Sequence, residues 1–153
     1  MRTAFVRRYG SGDGEVALIS ALRTDGDVVV ELAAEEGGEI VGHALFSRMS
    51  ADPPLCRIAA LAPVAVRIDR QGGGIGGALI RAGLDDCRAN GVEAVIVLGD
   101  PDYYRRFGFE AALAAGIGNA HAGPHLQALE FRAGTLRGIR SVSHAAAFAR
   151  MQG

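Results

Sequence analysis

Gln71-Gly72-Gly73-Gly74-Ile75-Gly76-Gly77 is the stretch on which the reading of this chain turns. Five of its seven residues are glycine, in a chain that holds 22 glycines among 153 residues. Glycine permits irregular backbone and lets a ligand approach the main chain. Immediately downstream, Ile75, Leu79 and Ala82 fall on one stripe and Ile80, Leu84 and Cys87 beside it. That spacing predicts a helix from Ile75 to Asn90, with Gly91 where a C-terminal cap belongs. Immediately upstream, Arg57–Ile68 (RIAALAPVAVRI) is a long apolar stretch interrupted by Pro63. Proline has no N–H for a ladder, so a strand here is expected to break or bulge near Pro63. Beyond the helix, Ala94–Leu98 (AVIVL) is wholly apolar, the pattern of a short strand buried on both faces.

The unit is therefore strand, glycine loop, helix, strand. A helix start leaves about four N–H groups without partners. The macrodipole adds partial positive charge at the same end, and glycines let phosphate oxygens reach those N–H groups. A diphosphate suits such a place. The residues alone leave several readings. A P-loop requires Gly-Lys-Ser/Thr at its end, and Gly76-Gly77-Ala78 excludes it. A dinucleotide fingerprint can be drawn through Gly72, Gly74 and Gly77 with Asp100 as the acid after the next strand, although Pro63 interrupts the strand it needs. A glycine-rich turn that binds nothing is the third.

Working outward, Thr3–Tyr9 reads as a short strand and Gly10–Gly14 as a turn. Glu15–Arg23 reads as a helix opened by Asp13 or Gly14. Val28–Ala34 and Ile40–Phe46 read as a hairpin around Glu35-Glu36-Gly37-Gly38. Ser50-Ala51-Asp52-Pro53-Pro54 reads as a loop. Asp102–Phe107, opened by Pro101, predicts a short helix that Gly108-Phe109 ends. Glu110–His125 reads as loop with a strand fragment, Gln127–Arg132 as a strand, and the tail after Gly134 carries little pattern. Strands and helices in mixed order indicate an α/β or α+β domain around one sheet, and the length suits a single domain over residues 1–153.

Composition narrows the partners. Apolar residues form 49% of the chain, enough for a core, and no run of about 18 apolar residues suggests a membrane span. The basic start, Met1–Arg8, has no signal-peptide core, so a cytoplasmic protein is expected. A net charge of −1 gives no reason to expect nucleic acid. Cys56 and Cys87 are too few for a disulfide framework. His121 and His125 have no ligand spacing beside them, so no metal site is expected.

Gln71-Gly72-Gly73-Gly74-Ile75-Gly76 matches the Q/R-x-x-G-x-G/A signature of the GNAT acetyltransferases, and Leu61-Ala62-Pro63-Val64-Ala65-Val66 resembles that family's bulged fourth strand. Leu98-Gly99-Asp100-Pro101-Asp102-Tyr103-Tyr104-Arg105-Arg106-Phe107-Gly108-Phe109 is similar to the YhbS-like branch, and Gly42–Ser47 adds a further match. The matches keep a fixed order between Glu15 and about Phe148. The resemblance implies a mixed, mostly antiparallel twisted sheet with flanking helices and a bulged central strand. It implies acetyl-CoA as cofactor, the coenzyme A diphosphate in the loop, and the pantetheine arm paired with the splayed strand. It also implies an N-acetyltransferase acting by direct transfer on a small-molecule or peptide amine, and leaves room for a homodimer. Only Gly10–Gly14 separate the opening strand from the Glu15 segment, where the family usually carries a first helix that walls the acceptor site. That departure keeps a second reading open, a non-catalytic acyl-CoA-binding module.

Carried onto this chain, the cofactor-binding set is Val64, Ala65, Val66, Gln71, Gly72, Gly73, Gly74, Ile75, Gly76, Gly77, Asp100 and Phe107. N–H groups near Val64 and Val66 would hold the thioester oxygen. Tyr104 would protonate the departing thiolate, against a plain reading as a core aromatic with a wet tip. Tyr103 reads as packing. His43 is the leading general base, because imidazole exchanges protons near neutral pH. Glu39, Asp52, Glu130 and a water chain are alternatives. Asp100 also fits a helix start. Arg105 and Arg106 read as a solvated face, with the coenzyme A 3′-phosphate as the alternative.

Overall fold

The computed structural model describes residues 5–8 and 17–151, the first segment and Met151 by backbone alone. The turn read at Gly10–Gly14 and the helix opening at Asp13 or Gly14 lie outside the described residues. In chain order the elements are β1 (Phe5–Arg8), α1 (Ala17–Asp25), β2 (Val28–Glu36), β3 (Glu39–Asp52), β4 (Ile58–Val66), α2 (Ile75–Ala89), β5 (Ala94–Leu98), α3 (Pro101–Tyr104), α4 (Ala111–Ala114), β6 (Leu126–Glu130), β7 (Ser141–Ser143) and α5 (Ala146–Met151). Short 3-10 turns cover Ile68–Arg70 and Arg105–Phe107.

The sheet runs β1-β2-β3-β4-β5-β6, with β7 on the far end of β3. Every pairing is antiparallel except β4 with β5. The parallel step follows from the connection, since a helical crossover returns the chain in the same direction. α2 is that crossover, and its buried Leu79, Ile80, Leu84 and Cys87 realise the stripe read from the sequence. They pack on Leu32, Ala44, Phe46, Val95 and Phe109. α2 comes down so closely on β3 that a Cβ on Gly83 would stand 2.1 Å from Phe46 Cε1. Cys87 lies in this core, and burial, then Asp86, pushes its thiol up to about 12. The opposite face is divided. Ile96, Leu126, Ala128, Leu136 and Val142 form one cluster, and Ile19, Leu22, Leu45 and Ala147 join α1 and α5 to the sheet in another.

The bulge expected at Pro63 is present. Ala44 pairs with Val64 and Phe46 with Leu61, so Ala62 and Pro63 together oppose the single Leu45. Pairing of β4 with β5 stops at Ala60–Ile96. From Leu61 to Val66, β4 keeps β3 on one side and leaves β5 on the other.

Three readings are corrected. Ser50–Asp52 is strand, not loop, because Ser141–Ser143 pairs with it from some 90 residues downstream. Glu110–His125 contains a helical turn at Ala111–Ala114, where alanine's helix preference suffices for one turn. The tail after Gly134 supplies both β7 and α5. Among the described residues, no helix is long and apolar enough to cross a membrane.

Candidate active site

The splay between β4 and β5 and the start of α2 open onto one cleft of about 570 Å³. Val64, Ala65 and Val66 wall one side, Gln71, Gly72, Gly74, Ile75, Gly76 and Gly77 the loop end, and Tyr104 and Phe107 the opposite side.

Ala78 N–H donates to Gly74 O at 3.0 Å, the first bond of the helical ladder. Gln71 N–H turns back to Ile68 O at 3.4 Å. Between them, among the described residues, no N–H from Gly72 to Gly77 donates to a protein acceptor. Gly72 and Gly74 have φ of +84° and +85°, with open space where a Cβ would stand. A left-handed backbone at these two points turns successive N–H groups outward, and side chains rarely adopt it. The loop is thus a concave run of bare donors at the positive end of a helix of 15 residues. These observations fit a diphosphate.

The β4 wall is built by strand alternation. Arg67 N–H donates to Val41 O at 2.8 Å, towards β3. Successive residues present their N–H and C=O to opposite sides, so Val64 and Val66 turn theirs to the gap left by β5. Gln71 Nε2 donates to Val66 O at 3.1 Å and ties the loop to the strand end. Val64 remains available to a pantetheine-like arm.

Tyr104 reaches the cleft from α3. Its ring packs edge-on against Tyr103 and Phe109, with centroids 5.0 and 5.9 Å away. Beneath it Gly99 is required, since a Cβ there would stand 2.5 Å from Tyr104 Cε2. Burial, then the Tyr103 phenol, pushes the Tyr104 hydroxyl above the ordinary tyrosine range. It is therefore a proton donor at neutral pH.

Gly73, Asp100 and His43 of the expected set do not line this cleft. Asp100 caps α3, its carboxylate accepting from Asp102 N–H at 3.0 Å. A Cβ on Gly42 would face Ile75 and Leu79 of α2, so His43, the next residue, points to the other face of the sheet. There His43 Nε2 lies 2.7 Å from Glu31 Oε2, and Arg23 Nε donates to Glu31 Oε1 at 2.9 Å. Burial alone would raise the Glu31 carboxyl, but the hydrogen bonds from Arg23 and His43 outweigh it and hold it below the ordinary range. A charged carboxylate accepts, so His43 Nε2 carries the proton in this bond. In the ladder His43 stands opposite Ala65, between the two residues whose backbone faces the gap.

The acetyltransferase (GNAT) family model matches residues 3–109 of the sequence. The chain belongs to the GNAT acetyltransferase family. Among curated relatives, it is 36% identical over 110 residues to the uncharacterized N-acetyltransferase YhbS of Escherichia coli K12, covering 71% of this chain and 66% of that protein. It is 42% identical over 116 residues to the uncharacterized N-acetyltransferase YjhQ of the same strain, covering 72% and 62%. The match thus spans slightly less than two thirds of those relatives' own length. Among solved structures, E. coli YhbS in complex with CoA superposes with a TM-score of 0.85 at 27% identity, over 98% of this chain and 94% of that one. A GNAT acetyltransferase from Brucella melitensis in complex with acetyl-CoA gives 0.77 at 30% identity, over 95% and 98%.

In this GNAT chain several cleft residues escaped the sequence reading. Tyr103 lines the cleft, its hydroxyl 3.4 Å from where a Cβ on Gly76 would be. Arg70, Ile80 and Arg81 line it as well, and so does Arg106, which the sequence reads as a solvated face with the coenzyme A 3′-phosphate as the alternative. A signal existed for Ile80 and Arg81, which stand about one turn after Gly76 and Gly77 on α2. None existed for Arg70, which a hydrogen bond of 2.7 Å to the buried Glu36 holds in place.

Proposed function

We propose that this chain is an acetyl-CoA-dependent N-acetyltransferase that moves the acetyl group directly to a primary amine. The run of bare N–H groups from Gly72 to Gly77 carries the reading. Acetyl-CoA, when bound, supplies an acyl group activated as a thioester. The loop amides grip its diphosphate, and the gap-facing backbone of Val64 orients the pantetheine arm along β4. The N–H groups at Val64 and Val66 provide donors for the acyl oxygen as charge builds on it. Tyr104, which lines the cleft with its hydroxyl protonated, gives its proton to the sulfur side.

His43 takes the acceptor's proton, directly or through water, from the face of the sheet away from α2, with Glu31 fixing its ring. Holding amine and acyl group together supplies much of the rate. The acceptor is a small-molecule or peptide amine, and the protein works in the cytoplasm.

Tyr104→Phe is expected to lower kcat on the order of 10²-fold, while calorimetry shows unchanged affinity for acetyl-CoA. Unchanged turnover removes Tyr104 from the chemistry. Tight binding of acetyl-CoA by the wild type, with no turnover across a broad amine screen, replaces the transferase by an acyl-CoA-binding module.

A further inference from the structure

Next to the cleft lies a groove of about 480 Å³ that shares three of its walls, Arg81, Arg106 and Phe107. It continues along α2 past Leu84 and Arg88 to Phe131. Most arginines of the described residues lie within ion-pair distance of a carboxylate, from Arg48 at Asp27 to Arg140 at Asp52. Arg81, Arg88 and Arg106 have no such pair among the described residues. Aromatic faces hold them instead, with Arg81 Cζ 4.9 Å from the Phe107 centroid, Arg106 Cζ 4.5 Å from that of Tyr103 and Arg88 Cζ 6.0 Å from that of Phe131. Arg106 Nε also donates to Tyr103 O at 2.8 Å, which fixes the direction of its guanidinium.

Two carboxylates share the groove. Glu130 is engaged by Gly134 N–H at 3.2 Å and Leu136 N–H at 2.9 Å. Asp85 lies between Arg81 and Arg88 on α2 and makes no ion pair with either. The groove therefore presents an excess of cationic charge, and two of its cations open into the cleft.

Resting on the cofactor reading above, the geometry points to Arg81 and Arg106 as a clamp for the ribose 3′-phosphate of coenzyme A. Arg81 stands one turn beyond Gly77, about 6 Å along the axis, which places it past the diphosphate seat on the groove side. The loop offers neutral N–H donors, which suit the singly charged phosphates of a diester-like bridge. A phosphate monoester carries nearly two charges near neutral pH and calls for guanidinium forks, which bind phosphate through paired donors. The clamp makes the chain select coenzyme A over its 3′-dephospho form. Arg88 lies two turns along α2 from Arg81, about 10 Å away, and takes no part.

The test is calorimetry with coenzyme A and with dephospho-coenzyme A, on the wild type and on the Arg81→Gln/Arg106→Gln and Arg88→Gln variants. The wild type is expected to bind coenzyme A about tenfold or more tighter than the dephospho form. In the double variant the preference falls to about one, with dephospho-coenzyme A bound as in the wild type, whereas Arg88→Gln keeps the preference. Equal wild-type affinity for the two ligands overturns the clamp and needs no variant. So does a preference that survives in the double variant or disappears in Arg88→Gln. Binding of neither ligand by the wild type overturns the cofactor reading itself.

Discussion

The two faces of the sheet around β4 treat charge in opposite ways. On the α2 face, among the described residues, the loop from Gly72 to Gly77 leaves its N–H groups without protein acceptors, and Arg81 and Arg106 stand over aromatic rings without a carboxylate in ion-pair reach. On the α1 face, Arg23, Glu31 and His43 are drawn together into one hydrogen-bonded cluster around a carboxylate that is 3% exposed. A protein that leaves donors bare where it folds tightly elsewhere has reserved them for something outside itself. A protein that neutralises charge within itself has used those groups to fix a side chain. The first face reads as a place for an anionic ligand, the second as a rigid mount for His43.

The contrast can be broken first on the saturated side. Glu31→Gln leaves Arg23 near a neutral amide and is expected to cost up to about 3 kcal/mol of stability, less than a fully buried pair because the Arg23 side chain is 19% exposed. The sign with pH follows from the lowered folded value. The contribution of ionised Glu31 is present above its unfolded pKa and is lost as pH falls through the folded one. In thermal melts the gap between wild type and variant therefore narrows as pH drops below about 4.5. A gap that stays constant to pH 3 removes Glu31 as the charged centre of the cluster.

On the open side, Gly76→Val fills the donor run with a side chain. A Cβ there meets only Tyr103 Oη at 3.4 Å and Val66 Cγ2 at 3.5 Å, ordinary contacts, so the fold is expected to persist. Affinity for coenzyme A should fall about 100-fold, a loss of about 2.7 kcal/mol. Retained affinity would put the diphosphate elsewhere.

The smallest effect sharpens the boundary of the site. Asp100→Ala removes the cap of α3 and is expected to cost about 1 kcal/mol in denaturant unfolding. Coenzyme A affinity should be little changed, because the Asp100 carboxylate is turned to Asp102 N–H rather than to the cleft. A large loss of affinity without loss of stability would return Asp100 to the cofactor-binding set.

What was legible in the sequence was local. Pro63 announces its own bulge because a missing N–H cannot be hidden in a ladder. The stripe from Ile75 to Cys87 and the apolar run Ala94–Val97 each state the surface they bury, whereas Leu98, expected to be buried with that run, is exposed at the strand end. Asp100 illustrates the limit, since the same Gly-Asp-Pro-Asp run suits a helix cap or a ligand contact until the carboxylate's direction is known. The partnership of His43 with Glu31 was out of reach. It depends on two neighbouring strands meeting α1 on one face, and a histidine within a strand gives no sign of it. The place of Gly99 under Tyr104 and of Arg81 over Phe107 likewise arises from segments that only the folded sheet brings together. The strand at Ser50–Asp52 was missed for the same reason, its partner lying at the far end of the chain.

The most direct measurement is amide hydrogen exchange at Gly72, Gly73, Gly74, Ile75, Gly76 and Gly77, read by NMR with and without coenzyme A. Their N–H groups are expected to exchange fast in the free protein and to become strongly protected on binding, while amides of the Glu31–His43 ladder change little. Exchange in the loop that is already slow without ligand, or that stays fast in the presence of saturating coenzyme A, contradicts the account.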